Sequence, residues 1–313
     1  MLNLITKRLA VMVPTLLLVA VFVFTLQHLL PGDPVLALAG EDRDPATLDA
    51  LRVQLGLDKP VPVQFVYWFG NILHGDFGTS YKTGEPVLAL ILQKLPVTLE
   101  LATLALIIAL LIGLPAGIIS AYRKGTAVDY AANVVALSGL SIPNFWLGII
   151  LILIFAVKLK WLPASGYVSP FEDLSRNLQT MILPAFVLGN ALAASIMRHT
   201  RSAMLSVLSQ DYVRTARAKG LYEPAVVLRH AFRNALIPVV TVVSLLFGEL
   251  MAGAVLTEQI FTIPGFGKLI VDAVFNRDYA VVQGVVLCTA IGFMIMNLFA
   301  DIAYGALNPR IRA

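Results

Sequence analysis

Six long runs of apolar residues dominate this sequence, and their length restricts the folds that are open to it. A helix needs about 20 consecutive apolar residues to cross the hydrocarbon core of a bilayer. Charged residues make up 13% of the chain, whereas soluble domains carry about 25%. Leu, Ala, Ile and Val fill the runs without the alternation that marks the roughly ten-residue strands of a membrane barrel. The sequence therefore predicts an all-α integral membrane protein with six transmembrane helices, near residues 9–30, 97–121, 131–157, 179–197, 235–257 and 281–304.

Basic residues between the runs predict the orientation of the chain. Lys7 and Arg8 precede the first run, which favours a cytoplasmic N-terminus. The segments that would then lie inside hold 13 Lys and Arg, against 10 in the longer outside segments. Six spans also bring the C-terminus to the cytoplasm. The predicted organisation is a cytoplasmic N-terminus with the first helix (1–30), an external helical insertion (31–96), a five-helix transmembrane core (97–304) that includes a cytoplasmic hairpin (198–234), and a cytoplasmic tail (305–313).

An alternative reading of the N-terminus is a cleaved signal peptide. Ala37 and Ala39 have the spacing of a cleavage site. The apolar core of a signal peptide is 7–15 residues long, whereas the first run has about 20, the length of a membrane span. This mismatch favours a retained first helix.

The external insertion carries two helix patterns. Pro45 at the start and Gly56 just past the end delimit the first helix. The second pattern, at 60–78, is amphipathic and aromatic, and its Tyr67 and Trp68 suit the interfacial belt of a membrane protein. We expect this insertion to cap the outer face of the membrane core.

The basic stretch YVRTARAKGL, residues 212–221, lies in the cytoplasmic hairpin. Asp211 can cap a short helix, Lys219 favours its C-terminal dipole, and Gly220 is a natural stop, with Leu221 as the apolar contact after it. Glu223 and the proline after it begin a second helix, which we expect to end at Pro238.

Small residues on the first helix of the hairpin would let one face enter a groove on a partner protein. Thr215, Ala216 and Ala218 provide this face. The alternative is a solvated loop whose charges only set the topology. Such a loop does not require an Ala-rich helix that ends in glycine.

Polar residues within the apolar runs are candidates for a translocation pathway. Ser138, Ser141 and Asn144 cluster around Pro143, which should kink or break the third helix. They fit either tight helix packing or the lining of a water-filled pathway. Glu249 lies in the middle of the fifth run, and intramembrane carboxylates are functional candidates by default. A protonated or hydrogen-bonded Glu at a subunit interface is the alternative.

The segment at the outer end of the fifth run has the composition of a tight turn followed by a short re-entrant or interfacial helix. It fits an ordinary connecting loop or, alternatively, an outer gate or a contact with an external partner protein. The candidate residues are Glu258, Phe261, Pro264 and Gly265.

The sequence predicts neither a catalytic site nor a metal site. Cys288 is the only cysteine, and the four histidines have no ligand-like spacing. The phosphate-loop pattern is missing, since Lys268 after Gly267 is followed by leucine and Thr262 stands where the first glycine belongs. The net charge of +4 is explained by the topology rather than by nucleic acid. Any energy for uphill transport must therefore come from a partner.

The hairpin resembles the short cytoplasmic motif of ABC importer permeases. The longer pattern is similar to the branch that imports dipeptides, oligopeptides, glutathione or nickel, and to its first permease subunit. The similarity covers nearly the whole chain, in order, through LLPGDPV (29–35), LGLDKPVPVQFVYW (55–68), GDFGTSY (75–81), SIPNFWLGI (141–149), WLPASGY (161–167), DYVRTARAKGL (211–221), RHAFRNALIPVVT (229–241), EQIFTIPGFGKLIVDAV (258–274), NRDYAVVQG (276–284) and LNPRIR (307–312). The general motif opens with Glu-Ala, where this chain has Arg214-Thr215, and this departure resembles the peptide branch.

The resemblance implies that the hairpin contains a coupling helix which docks on a cytoplasmic ATPase subunit. The positions carried over are Arg214, Thr215, Ala216, Lys219, Gly220, Leu221 and Glu223. It also implies a second, homologous but different permease, two ATPase subunits that bind ATP and Mg, an external substrate-binding protein, and a multi-pass location in a bacterial inner membrane. The chain itself would carry no cofactor and would not be an enzyme.

Two other classes of function compete with this interpretation. A stand-alone secondary transporter or channel predicts internal inverted repeats and several intramembrane charges, whereas Glu249 is nearly solitary here. A membrane-embedded enzyme would need catalytic residues, and their patterns are missing. Within the resembled branch, nickel uptake is disfavoured because the apolar runs lack clustered His or Cys ligands.

Overall fold

A computed structural model describes residues 2–29, 35, 44–54 and 56–307. Helices dominate the described residues, and their only strand-like pairing is an isolated bridge between Thr79 and Pro86. The helices are α1 (Leu2–Leu29), α2 (Pro45–Gln54), α3 (Val61–Leu73), α4 (Val87–Tyr122), α5 (Ala127–Ser141), α6 (Asn144–Leu151, continued by a π-helical segment, Ile152–Lys158), α7 (Leu174–Leu208), α8 (Asp211–Ala218), α9 (Glu223–Ala225, continued by a π-helical segment, Val226–Ala231), α10 (Phe232–Gly253), α11 (Val255–Ile260), α12 (Phe266–Phe275) and α13 (Tyr279–Leu307).

Within the described residues, five helices are long and apolar enough to cross a membrane, and a bent helix pair can supply a sixth span. This result agrees with the six apolar runs of the sequence. The alternative signal-peptide cleavage site, at Ala37 and Ala39, and the C-terminal tail beyond residue 307 lie outside the described residues.

The bent pair, α5 and α6, occupies the predicted third span. The two helices meet at an angle of 98°. Ile142 and Pro143 are both extended at the break, because a proline disfavours helical geometry in the residue before it. The predicted break at Pro143 is confirmed. Pro184 and Pro238, in contrast, lie inside helices, so the second helix of the hairpin does not end at Pro238 and that prediction was wrong.

The chain divides into two compact units. The first comprises residues 99–263 with 2–5 and 295–307. Helix α7 is its central element, since 67% of its most apolar window is buried, against 17–39% for the other spans. Helices α5, α6 and α10 all pack against α7.

Glycines bring α4 into close contact with α7. A Cβ at Gly113 would lie 2.7 Å from the carbonyl oxygen of Ala193, and one at Gly117 would lie 2.7 Å from that of Met197. Their four-residue spacing is the small-residue pattern that lets membrane helices approach closely. The side chain of Asn190, on α7, donates a hydrogen bond to the carbonyl of Gly139 on α5, at 3.3 Å.

The second unit comprises the described residues between 6 and 98, with residues 264–294. Apolar residues at the start of α4, in α12 and at the start of α13 form its core, and the ring of Phe77 packs on it. Phe24 of α1 lies 5.4 Å from the ring centroids of both Phe65 and Trp68 of α3. Of the two aromatic residues predicted for the interfacial belt, Trp68 thus packs on α1, whereas Tyr67 is exposed.

A buried carboxylate holds the loop before α4 in this second unit. Asp278 accepts hydrogen bonds from the Ser80 hydroxyl at 2.5 Å and from the Tyr81 amide at 3.1 Å. Ser80 and Asp278 are both 3% exposed. The pKa of the Tyr81 phenol is raised above its ordinary value, mainly by burial and to a smaller extent by the nearby Asp278 charge. Two segments far apart in the sequence, 75–81 and 276–284, are therefore fixed to each other.

Candidate functional site

The hairpin, residues 198–234, consists of the end of α7, the short helix α8 and a second arm that continues into α10. Gly220 ends α8 with φ of +78°, a conformation that glycine adopts without steric cost. Its amide donates to the carbonyl of Arg217 at 2.9 Å. The predicted glycine stop is confirmed. Asp211 is the first helical residue and not the cap, which is Gln210 without a side-chain cap bond, so the predicted capping role was wrong.

One face of α8 packs on the protein itself. Val213 is 0% and Ala216 7% exposed, and both pack with Val226 at the start of the second arm. Val207 and Leu208 at the end of α7 complete this small core. Ala216, which the sequence placed among the partner-facing residues, therefore faces inward. Its small side chain permits close packing within the hairpin.

The opposite face of α8 is open. Arg214, Thr215, Lys219 and Gly220 are exposed. Arg214 lies 3.5 Å from the carboxylate of Asp211 in an exposed pair, which leaves the guanidinium available because such pairs contribute little. Leu221 and Tyr222 continue the surface and are 40% and 72% exposed. Tyr222 was not among the predicted contact residues.

An ion pair closes the hairpin turn. The Nη2 atom of Arg217 lies 2.7 Å from Oε1 of Glu223, and its Nε lies 3.2 Å from both carboxylate oxygens. Glu223 was predicted as a partner contact, but its carboxylate is already engaged within the turn. The hydrogen bond to Glu223 raises the pKa of Arg217 above its ordinary value. Arg217 was missed because a sequence does not show which arginine of a basic run is paired.

A hydrogen bond also joins α8 to the second arm. The Nδ2 atom of Asn234 donates to the hydroxyl of Tyr212 at 2.8 Å. Deeper in the hairpin, Met204 of α7 packs with Val227 and Ala231 of the π-helical segment. These contacts make the hairpin a packed structure rather than a solvated loop.

A buried polar network lies beside the base of the hairpin and was not predicted. Its members are Asp129, Arg201, Ser120, Asn133 and the backbone amide of Gly125, and we refer to them as the Asp129–Arg201 network. The Nε and Nη2 atoms of Arg201 lie 2.8 and 2.9 Å from the two carboxylate oxygens of Asp129. The Ser120 hydroxyl and the Asn133 amide donate to the same carboxylate at 2.5 and 2.8 Å, and the Gly125 amide donates at 2.9 Å. The only sequence signal was a lone acid, Asp129, that follows the basic Arg123-Lys124 pair within the same short segment.

Three of the candidate pathway residues lie around the break between α5 and α6. The hydroxyls of Ser138 and Ser141 donate to carbonyls of their own helix, at 2.9 and 2.8 Å, and both residues are exposed in the single chain. Asn144 is the first residue of α6 and does not cap it with its side chain. Glu249 is exposed on α10, and no hydrogen bond within the described part of the chain joins it to the other three.

The outer candidates are mostly buried. In the first unit Glu258 is 0% and Phe261 1% exposed, and the Phe261 carbonyl accepts the amide of Gly166 at 2.9 Å. In the second unit Gly265 is buried and Pro264 half-buried. The predicted turn is present at residues 261–265, after α11, and the predicted short helix is α12. The buried side chains of Glu258 and Phe261 are not offered to a partner in this structure.

Comparisons with known proteins agree with this architecture. Residues 113–313 match the family described as binding-protein-dependent transport system inner membrane component, and residues 1–102 match its N-terminal counterpart. The chain is 44% identical over 310 residues to a Brucella abortus protein provisionally named a peptide transport system permease, covering 99% of this chain and 98% of the relative. It is 45% identical over 312 residues to the glutathione transport system permease protein GsiC of Salmonella choleraesuis, covering 100% and 99%.

A solved structure shares the fold. It is described as inward-facing conformations of the MetNI methionine ABC transporter, with a TM-score of 0.57 at 16% identity, covering 71% of this chain and 97% of that one. The family matches cover nearly all of the sequence, and the two relatives cover it from end to end. The chain is therefore a member of the family of binding-protein-dependent transport system inner membrane components and a permease subunit of an ABC-type transport system.

Proposed function

We propose that this permease subunit forms half of a peptide pathway and that its hairpin docks on an ATPase subunit. ATP and Mg bind to two such ATPase partners, which supply the energy. A second, homologous permease forms the other half of the pathway, and an external substrate-binding protein delivers the peptide. The protein lies in the inner membrane of a bacterium with both termini in the cytoplasm.

The two-faced geometry of α8 is the observation that carries this proposal. Its inner face is sealed by Val213 and Ala216, so α8 moves together with α7 and the second arm. Its outer face presents Arg214, Thr215 and Lys219 to a partner. A helix that is fixed on one side and open on the other fits the groove of another protein. Displacement of such a helix tilts the spans on either side, because packed helices shift between discrete arrangements.

The names of the relatives support a peptide substrate. One relative is named for peptides and the other for glutathione, which is itself a small peptide. Dipeptides, oligopeptides and glutathione share a backbone amide and charged termini, so one pathway chemistry serves all of them. Uptake assays with a labelled dipeptide and with glutathione, each in competition with the other and with Ni²⁺, distinguish these substrates.

The pathway in this proposal runs past the break between α5 and α6. Ser138, Ser141 and Asn144 line it there, and Glu249 contributes from α10. Irregular backbone at membrane depth is tolerated against protein or a water-filled cavity, and the break at Pro143 fits this role. Cysteines at Ser138 and Ser141 should react with a water-soluble thiol reagent, whereas one at the buried Ala136 should not.

Crosslinking tests the docking directly. Since Cys288 is the only cysteine, a Cys288→Ala background allows single cysteines to be placed without interference. Thr215→Cys should crosslink to an ATPase subunit in the assembled complex. Ala216→Cys, one residue on but facing inward, is the matched control and should crosslink far less.

The same crosslinking experiment also tests the alternative of a stand-alone transporter or channel. If Thr215→Cys never captures an ATPase subunit, and the purified chain alone transports substrate into liposomes, the proposal is refuted and a secondary transporter or channel replaces it. Capture at Thr215 and Ala216 with equal efficiency would instead show that the α8 face assignment is wrong.

A further inference from the structure

The Asp129–Arg201 network completes the hydrogen bonds of a carboxylate buried between helix ends. The Asp129 carboxylate accepts bonds from the Arg201 guanidinium, the Ser120 hydroxyl, the Asn133 amide and the Gly125 amide. Its side chain is 5% exposed. A buried carboxylate is costly unless its hydrogen bonds are complete. The two parallel N–H donors of a guanidinium, here called the paired fork, also fix the orientation of the carboxylate that they bind. A lysine ammonium does not fix this orientation.

The network joins helix ends that are separate in the sequence. Ser120 lies in the last turn of α4, Asp129 in the first turn of α5, and Arg201 near the end of α7. Helix α5 also contacts α7 through Ala136 and Gly139, both further along α5 than its first turn. The charged pair is therefore the directional link that fixes the first turn of α5.

The same end of α4 also touches the hairpin. Ala121, the residue after Ser120, packs with Met204 of α7 and with Val227 and Ala231 of the second arm. The last turn of α4 thus contacts the hairpin through Ala121 and the Asp129–Arg201 network through Ser120. A displacement of the hairpin can therefore reach α5 through these two sets of contacts.

We infer that Asp129 and Arg201 are positioning residues that make the start of α5 follow the hairpin, so that the bent α5–α6 pair moves when the hairpin is displaced. This inference rests on the proposed docking of the hairpin. Without the paired fork, α7 and the hairpin still move with the ATPase, but α5 lags behind. Nucleotide hydrolysis then continues while less substrate crosses the membrane.

The experiment uses the complete transporter in liposomes, with permease pair, ATPase subunits and binding protein, and measures substrate taken up per ATP hydrolysed. Asp129→Asn and Arg201→Gln should each lower this ratio by about three- to tenfold, which lies within the range of coupling changes reached by single substitutions. Arg201→Lys keeps the charge without the fork and should give an intermediate ratio. Asp49→Asn, which removes an exposed carboxylate paired with Arg52 at 3.5 Å, is the control and should leave the ratio unchanged.

A double variant separates positioning from stability. Asp129→Asn combined with Arg201→Gln removes the buried carboxylate together with its half-buried guanidinium partner, so the amount of assembled complex should recover relative to either single variant. The uptake-to-ATP ratio should stay low, because the fork is still missing. Recovery of both quantities would show that the network only stabilises the fold and would overturn the inference.

The outcome for ATPase binding separates this inference from the docking proposal. The variants should retain their ATPase subunits in the Thr215→Cys crosslinking assay. A wild-type ratio in Asp129→Asn with the ATPase subunits still captured overturns the positioning role alone. Failure to capture any ATPase subunit with the wild-type network overturns the docking proposal itself.

Discussion

Replacing Gly220 tests the hairpin turn through its backbone alone. Gly220 has φ of +78°, and a Cβ added there would meet no atom within 4 Å beyond its own neighbours. The effect of a side chain is therefore conformational and not a clash. A residue with a Cβ costs about 1–2 kcal/mol in the left-handed region, which reduces the population of the native turn by a factor of about 5–30. Gly220→Val should destabilise the turn more than Gly220→Ala, because the branched Cβ of valine restricts the backbone further.

Asparagine provides the matched substitution at the same site. It visits the left-handed region more readily than other residues with a side chain, so Gly220→Asn should stay close to wild type. We expect the order Gly, Asn, Ala, Val for falling uptake per ATP in the reconstituted transporter. Gly75→Val imposes the same strain elsewhere, since Gly75 has φ of +83° and equally open space, and should leave the ratio unchanged.

Two results would refute this reasoning. Wild-type coupling in Gly220→Val, with normal membrane insertion, would mean that the turn geometry does not matter for docking. An equal defect in Gly220→Asn and Gly220→Val would mean that the loss comes from the presence of a side chain at the docking surface, and not from the backbone conformation.

Three further substitutions have expected outcomes that follow from local contacts. Gly117→Ala should lower the free energy of unfolding by about 1–3 kcal/mol through overpacking against α7, which is measured as a lower melting temperature in detergent. Gly292→Ala is the control and should have little effect, because no atom lies within 4 Å of its added Cβ. Asp278→Asn weakens charge-assisted hydrogen bonds worth about 1.5–3 kcal/mol, so trypsin should cut faster after the exposed Lys82 in the loop that Asp278 holds; an unchanged cutting rate would contradict the anchoring role. Arg217→Ala removes a part-exposed ion pair worth about 1 kcal/mol or less, and its effect on hairpin stability should shrink at high salt; a larger, salt-independent loss would point to packing instead.

The sequence by itself determined the class of fold and the plan of the hairpin. Apolar runs of membrane-spanning length, without the alternation of barrel strands, indicate helices. In lipid, a helix satisfies all of its backbone hydrogen bonds within its own segment. Local rules also located the glycine stop at Gly220 and the break at Pro143, because both depend on φ and on backbone donors within a few residues. The family resemblance was carried by motifs along nearly the whole chain.

Only the tertiary structure decided which side chains face the protein and which face outward. Ala216 and Thr215 are neighbouring small residues, yet packing with Val226 buries Ala216 and leaves Thr215 exposed. The pairing of Asp129 with Arg201 and that of Asp278 with Ser80 join residues 72 and 198 positions apart. Pro238 stays within a helix that the local rule would end. Contacts between distant segments overrule or complete local preferences in each case, because burial and hydrogen bonding are settled only when the helices pack.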